Sequence, residues 1–337
     1  PTWRAHALQE GMEQMLVDGL VAYWVYQGWG NIGASSGDEY ELLAIMQQAA
    51  QSGEDALESL RTRIRRAVYQ EATLQWHYEI QTMPPVFVAD VRADRPARLA
   101  GIGSMDDAPR IMSREQMAQL CTWMRDHDAS TAVLVSSVPA ILPPLIGFAE
   151  YIAGVRPFQA RPAGLRHRFG SMLAGAQQKL MQRMSFDHWP VFGATWRELV
   201  ELLDARRNDL VILSGDVHFS YNMSARRSAR KRRAVLYQLV STPFKNTLEQ
   251  RDKRLVVGQA WLKQAIYGGL RSRVLPLMWA KGGRRVPSDM LFQNVVALVT
   301  FWPQARNEGG YDIRQVYLGV QGETLVEVAV CDVHYSE

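Results

Sequence analysis

Apolar and polar positions alternate along this chain in two distinct rhythms. In residues 8–27, Met12, Met15, Leu16, Leu20 and Tyr23 recur at three- to four-residue spacing, which predicts a helix. Gly28 and Gly30 end it in the loop Gln27-Gly-Trp-Gly-Asn31. Further helices are predicted at 39–52 and 54–71. In the latter, Leu57, Leu60, Ile64 and Val68 form one face, and Arg61, Arg63, Arg65 and Arg66 lie mostly on the other. Short unbroken apolar runs follow. Val86-Phe-Val-Ala-Asp90 and Thr131-Ala-Val-Leu-Val-Ser136 read as buried strands, and Leu210-Val-Ile-Leu213 as a third. Ser113 with Gln116 suggests a capping box for a helix carrying Met117, Leu120 and Met124. Residues 141–170 read as irregular because of their Pro and Gly content. Helices are predicted at 171–184 and 194–207.

Strand and helix therefore alternate over 86–218, the pattern of an α/β sheet. Beyond it, 234–240, 295–301, 313–320 and 324–331 read as strands. The last two are joined by a tight turn at Gln321-Gly322. Residues 248–290 read as an irregular or helical insertion. A mixed sheet sandwich flanked by helices fits this order better than an open parallel sheet. One partial domain over 1–337 results: a helical segment (1–85), an α/β part (86–247), the insertion (248–294) and the terminal strands (295–337).

The chemistry concentrates after the 210–213 strand, in Ser214-Gly-Asp-Val-His-Phe219. The loop at the carboxyl end of a buried strand is where an α/β fold collects ligands. Asp216 and His218 are two apart, and a curled loop would aim both at one point as an oxygen and nitrogen donor pair for a metal. The plainer alternative is Asp216 capping a turn and His218 half buried. After the 86–90 strand, Arg92 and Arg95 could clamp a phosphate bidentately, or pair with Asp90 or Asp94. His188 could serve as a general acid or lie on the surface as an ordinary histidine. Asn31 could reach a substrate or cap its own loop. Trp24, Trp29, Trp123, Trp196 and Trp302 read as core or half-buried packing residues, and His77, His127 and His334 as structural.

Composition narrows the classes. The chain has 337 residues, 47% hydrophobic and 21% charged, which is ordinary for a globular protein. A net charge of +4 suits an anionic substrate. Six basic residues in eight, Arg226-Arg-Ser-Ala-Arg-Lys-Arg-Arg233, make a charged loop without the interleaved aromatics of a single-strand nucleic-acid groove. Nucleic acid is thus an unlikely partner. Cys121 and Cys331 form no disulfide framework or Cys-rich zinc site, and a single long-range pair stays open. No run of about 18 apolar residues predicts a membrane span. The chain begins with Pro1 in place of Met, so a processed or partial chain is expected, and a cytoplasmic or exported location is equally open.

Together these residues resemble the PhoD-like metallophosphatases of the calcineurin-like superfamily. The resemblance rests on Ser214-Gly-Asp-Val-His-Phe219, on Asp187-His-Trp189 followed by Trp196-Arg-Glu-Leu199, on Val88-Ala-Asp-Val-Arg92 with Arg95, on Glu115-Gln116 within 113–123, and on Ala22-Tyr-Trp24 with Gln27-Gly-Trp-Gly-Asn31. It covers most of residues 20–245. It implies a four-layer α/β/β/α sandwich and metal-dependent hydrolysis of a phosphate-ester substrate, as monoester or diester. The cofactors it implies are calcium and iron, or zinc, manganese or magnesium, with Asp216 and His218 as metal ligands. Asp187 would hydrogen-bond a ligand or orient bound water, with a turn cap as its alternative. The family's upstream Gly-Asp and Asp-Asp-His motifs have no counterpart here, and Ser136-Ser-Val-Pro139 holds no His where purple acid phosphatases place one. The resemblance thus implies a carboxyl-terminal part, its amino-terminal part missing and its activity impaired alone. A non-catalytic binding or scaffold protein with a degenerate metal centre is the alternative.

Overall fold

The three apolar runs lie side by side as parallel strands. The structure is a computed structural model that describes residues 12–31, 41–69, 76–96, 109–159, 187–227, 234–241, 256–257, 262–281, 283–305 and 307–333. Strands β1 (Tyr78–Ile80), β2 (Val86–Val88), β3 (Ala132–Val135), β4 (Leu210–Ser214), β5 (Tyr221–Arg227), β6 (Leu236–Val240), β7 (Gln264–Tyr267) and β8 (Leu270–Leu275) form one sheet in the order β1-β2-β3-β4-β6-β5-β8-β7. Within it β2, β3, β4 and β6 are mutually parallel. A second, antiparallel sheet runs β10-β9-β13-β12-β11. Its strands are β9 (Leu277–Lys281), β10 (Arg284–Ser288), β11 (Val296–Pro303), β12 (Tyr311–Gln321) and β13 (Thr324–Val333).

Parallel strands need covered faces, and alternation divides the side chains between two covers. Ala132, Leu134, Leu210, Ile212 and Leu236 pack on one side with Met117, Leu120, Trp123, Trp196, Leu199 and Leu203. These belong to helices α4 (Arg114–Asp126) and α6 (Gly193–Ala205), the crossovers of the parallel strands. Val133, Val211, Tyr237 and Leu239 point the other way, onto Tyr317, Ala329, Cys331 and Val333 of the second sheet. The described residues thus form a mixed α/β fold with helices, a mixed sheet and an antiparallel sheet in layers. On the far side of the second sheet Leu298 and Val320 are exposed.

The first helices, α1 (Glu13–Tyr23), α2 (Leu42–Ser52) and α3 (Leu57–Tyr69), build their own cluster around Val17, Trp24, Ile64 and Val68. That cluster reaches Ala93, so it leans on the loop after β2. A π-turn, Trp24–Gly28, prolongs α1. The arginine face of α3 is partly used in ion pairs with α1, Arg61 to Asp18 and Arg65 to Glu13, both at 2.7 Å. Leu57 is exposed, although the spacing had put it on the apolar face.

Three expectations change. Part of 141–170 is not irregular but helix α5 (Pro144–Gln159). Proline at its first position suits a helix start, and two glycines serve close packing: a Cβ on Gly147 would collide with Tyr267, and one on Gly154 with the Val191 backbone. Part of 248–290 is strand, because Leu270, Ser272 and Val274 alternate buried with exposed Arg271 and Arg273. Strand β5 was not predicted, although Tyr221, Met223 and Ala225 alternate with Asn222 and Ser224; all five are buried, Asn222 accepting from Tyr317. Elsewhere, Gln321 pairs with Thr324, so the final hairpin turns on Gly322-Glu323, with Gly322 at φ 63°. Trp29 and Trp302 are exposed. Both cysteines are free. No helix among the described residues is long and apolar enough to cross a membrane. The predicted 171–184 helix and His334 lie outside the described residues.

Gly154→Ala is expected to cost about 1–3 kcal/mol, the usual range for overpacking, because the obstacle is backbone. Gly19→Ala, on an exposed turn of α1 with open space around it, is the control and should be neutral or stabilising. Urea unfolding of both variants checks the pair.

Candidate functional site

The loops after β2, β3 and β4 all open at the carboxyl edge of the parallel strands, and their charged side chains meet there. After β2 the chain turns sharply, because Asp90 Oδ1 accepts the backbone N–H groups of Arg92 (3.0 Å) and Ala93 (2.8 Å). Asp90 and Asp94 are both buried. The turn is braced from α4. Gln116 accepts from the Asp90 backbone and donates to the Asp90 carbonyl, each at 2.9 Å. Asp94 Oδ2 accepts from the Ser113 hydroxyl (2.6 Å) and backbone (3.1 Å), and from Gln116 Nε2. Ser113 does cap α4, its hydroxyl accepting from the Gln116 backbone. The reciprocal half of the expected capping box is replaced: the Gln116 side chain serves Asp90 and Asp94 instead.

This turn aims Arg92 outward. Its Nη1 donates to Asp187 Oδ2 (3.2 Å), its Nη2 to Asp216 Oδ2 (2.8 Å) and its Nε to Ser137 Oγ (3.3 Å). One guanidinium therefore ties together the loops after β2, β3 and β4 and the turn before α6. Arg95 donates to the other oxygen of Asp187 and lies over the Phe192 ring, 4.9 Å from its centroid. The expected pairing of these arginines with Asp90 or Asp94 is not what forms. Those two carboxylates are committed to backbone and to Ser113 and Gln116, leaving the guanidinium groups to reach across the strand ends. Arg92, Asp187 and Asp216 keep 41%, 36% and 45% of their side-chain surface exposed, so a ligand can reach them.

The loop after β4 turns within a few residues. Asp216 and His218 both take the left-handed conformation, at φ 69° and 62°, which is uncommon for non-glycine residues, although Asp and His adopt it more readily than most. A buried glutamine supports the loop from below. Gln238 Nε2 donates to Ser214 Oγ (3.1 Å), while its Oε1 accepts from the Ala140 and Ile141 backbone.

On the other flank, His188 Nδ1 lies 2.7 Å from Glu150 Oε1. Glu150 is fully buried on α5, and burial raises its pKa against the opposing pull of His188. Beside His188, Trp189 Nε1 donates to Ser136 Oγ at 3.0 Å, fixing this turn to the end of β3. The sequence reading missed Glu150. Its signal was a lone acid in the apolar stretch 141–154, where an unpartnered carboxylate would be costly.

Asn31 is not joined to this cluster. Its amide donates to the Gln27 carbonyl at 2.9 Å, the loop-capping alternative. His127 bonds the Trp123 carbonyl at 2.8 Å, and His77 stacks on Phe87. Arg227, at the start of the basic run, pairs with Asp204 at 3.2 Å; residues 228–233 lie outside the described residues.

As metal donors, Asp216 and His218 have suitable chemistry, but two protein ligands fall short of the three a catalytic site ordinarily uses. Among the described residues no group of three His, Cys, Asp or Glu comes together. These residues alone do not fit a resident metal.

No family model, curated protein or solved structure matches this chain.

Proposed function

We propose that this chain binds a phosphate ester at the carboxyl ends of β2, β3 and β4 and serves its hydrolysis, as part of a PhoD-like metallophosphatase with a four-layer sandwich fold. The observation that carries this reading is the Arg92 guanidinium, held between Asp187 and Asp216 where three strand-end loops converge. A guanidinium fork matches a phosphoryl group as well as it matches carboxylates. Two oxyanions already converging on it mark the place where a third can exchange in.

In this reading Arg92 and Arg95 orient the phosphoryl oxygens. Asp187 keeps both guanidinium groups in place through its two oxygens. Asp216 and His218 offer one oxygen and one nitrogen donor, Asp216 already held by Arg92, so a calcium or iron centre here would require ligands beyond these two. The left-handed backbone at both positions supports a site built for more than turning the chain.

The test is hydrolysis of phenyl phosphate and diphenyl phosphate, with calcium and iron supplied, alongside calorimetric titration with inorganic phosphate. Phosphate binding with turnover that Asp216→Asn abolishes is expected. Neither binding nor turnover would sink the reading. A second reading, an anion-binding protein without catalysis, is favoured by one contact: the best metal-donor candidate, Asp216, is engaged by Arg92 at 2.8 Å. It predicts phosphate binding without turnover under every metal condition.

A further inference from the structure

We propose that His188 hands a proton to the leaving group through Nε2, and that Glu150 is the positioning residue that holds its imidazole in the Nδ1–H form. This rests on the phosphate-ester reading above. Three observations carry it.

The first is geometry. Nδ1 lies 2.7 Å from Glu150 Oε1, and His188 directly follows Asp187, which grips both arginines of the cluster. The imidazole keeps 16% of its side chain exposed while the Glu150 side chain keeps 1%. The dyad therefore has a sealed end and a wet end. With Nδ1 turned to the buried carboxyl, Nε2 is the ring nitrogen left to exchange protons.

The second is the unmet demand of Glu150. Its Oε2 is buried and finds no hydrogen-bond partner among the described residues. A buried carboxylate in that state is costly, and a positive charge on His188 relieves the cost. Among the described residues, the Nδ1–H donated to Oε1 is the one hydrogen bond the structure gives this carboxyl from a side chain, so Glu150 fixes which ring nitrogen points inward. Among the described residues the other titratable groups facing Glu150 are Asp187, Tyr221 of β5 and Tyr267 of β7, none of them a cation.

The third is how the fold delivers Glu150. Gly147, Glu150 and Gly154 lie on one face of α5, at i, i+3 and i+7. Both glycines are at close approaches, to Tyr267 and to the Val191 backbone. That packing lets a short acid on α5 reach the turn containing His188.

The step balances. In its acid form His188 carries hydrogen on both nitrogens; water attacks phosphorus, the bond to the leaving oxygen breaks, and that oxygen takes the Nε2 proton to depart as an alcohol, leaving the neutral Nδ1–H ring. The proton released by the attacking water restores Nε2 through solvent. Ester and water become phosphate and alcohol, and His188 ends as it began.

Two measurements test this. Long-range 1H–15N correlation of histidine-labelled protein reads the tautomer independently of turnover. The neutral His188 ring should carry hydrogen on Nδ1, keep it in Glu150→Gln, whose amide oxygen still accepts, and lose that preference in Glu150→Leu. Hydrogen on Nε2 in the wild type, or an unchanged pattern in Glu150→Leu, would overturn the assignment. The rate test compares phenyl phosphate with 4-nitrophenyl phosphate, whose leaving group needs little protonation. Glu150→Leu and His188→Gln should each lose at least about tenfold in kcat on phenyl phosphate and little on the nitrophenyl ester, with Glu150→Gln rescuing most of the loss. Equal losses on both esters would make the dyad merely structural. If the wild type shows Nδ1–H yet hydrolyses neither ester, the phosphate-ester reading fails and the proton step fails with it, while the positioning of His188 by Glu150 stands.

Discussion

Arg92→Met should lower phenyl phosphate hydrolysis by about 10²–10³-fold, the usual scale for removing one aligned electrostatic donor from an active site. Met keeps most of the aliphatic length, so the change isolates the guanidinium. The loss has two sources. One is the missing fork toward the phosphoryl group. The other is that Asp187 and Asp216, now bridged by Arg92 at 3.2 and 2.8 Å, would present unneutralised negative charge to an incoming anion. Arg92→Lys should fall between, since it restores charge but not the planar fork that spans two carboxylates. Stability should move little, because these pairs are well exposed and such pairs contribute at most about 1 kcal/mol. Initial rates and the inhibition constant of inorganic phosphate check this. A variant as fast as the wild type with an unchanged melting temperature would remove Arg92 from the site.

The second large effect is on stability against pH. Burial pushes the Asp90 carboxyl up to about 6, against the pull of the Arg92 and Ala93 backbone N–H groups. In the unfolded chain it returns to an ordinary 3.8. The folded state then holds more protons than the unfolded state between those values. Stability from this group is full below the unfolded value and is lost as pH rises through the folded value, a difference of about 3 kcal/mol at about 1.4 kcal/mol per unit. Asp94, Glu150 and Asp209 shift the same way by burial and add to the slope. Asp90→Asn keeps an oxygen for the two backbone donors and removes the titration. Its urea midpoint should therefore gain on the wild type between pH 4 and 7, with parallel profiles refuting the assignment.

The retention of a carboxylate at 90 under that strain has a local reason. Its Oδ1 shapes the turn that aims Arg92, and its neighbour Asp94 holds the start of α4. The site's outer charges are partly exposed, and the turn beneath them is braced by buried groups.

Much of the architecture was legible in the chain. Residues 86–88, 132–135 and 210–213 are unbroken apolar runs because each strand is covered on both faces, and such runs need no partner to be recognised. The place of Asp216 and His218 directly after a buried strand was legible too, but the left-handed backbone at both was not. Helix α5 was not, because Gly147 and Gly154 look like breakers until the close approach they permit is seen. Strand β5 carries the alternation Tyr221, Met223, Ala225; what the sequence did not reveal is that Asn222 and Ser224 between them are buried too, Asn222 accepting from Tyr317 across the fold.

The charge pairing was decided by tertiary structure alone. Local spacing put Asp90 and Asp94 next to Arg92, yet the partners are Asp187 and Asp216, 95 and 124 residues away. Glu150 meets His188 across 38 residues and a helix that periodicity did not predict. By itself the sequence determined the parallel strands, their crossover helices and the edge where chemistry gathers, because burial and backbone sterics act over a few residues. Which side chains face one another at that edge was left to the fold, because Coulombic and hydrogen-bonding partners are chosen by distance in space, which no local pattern encodes.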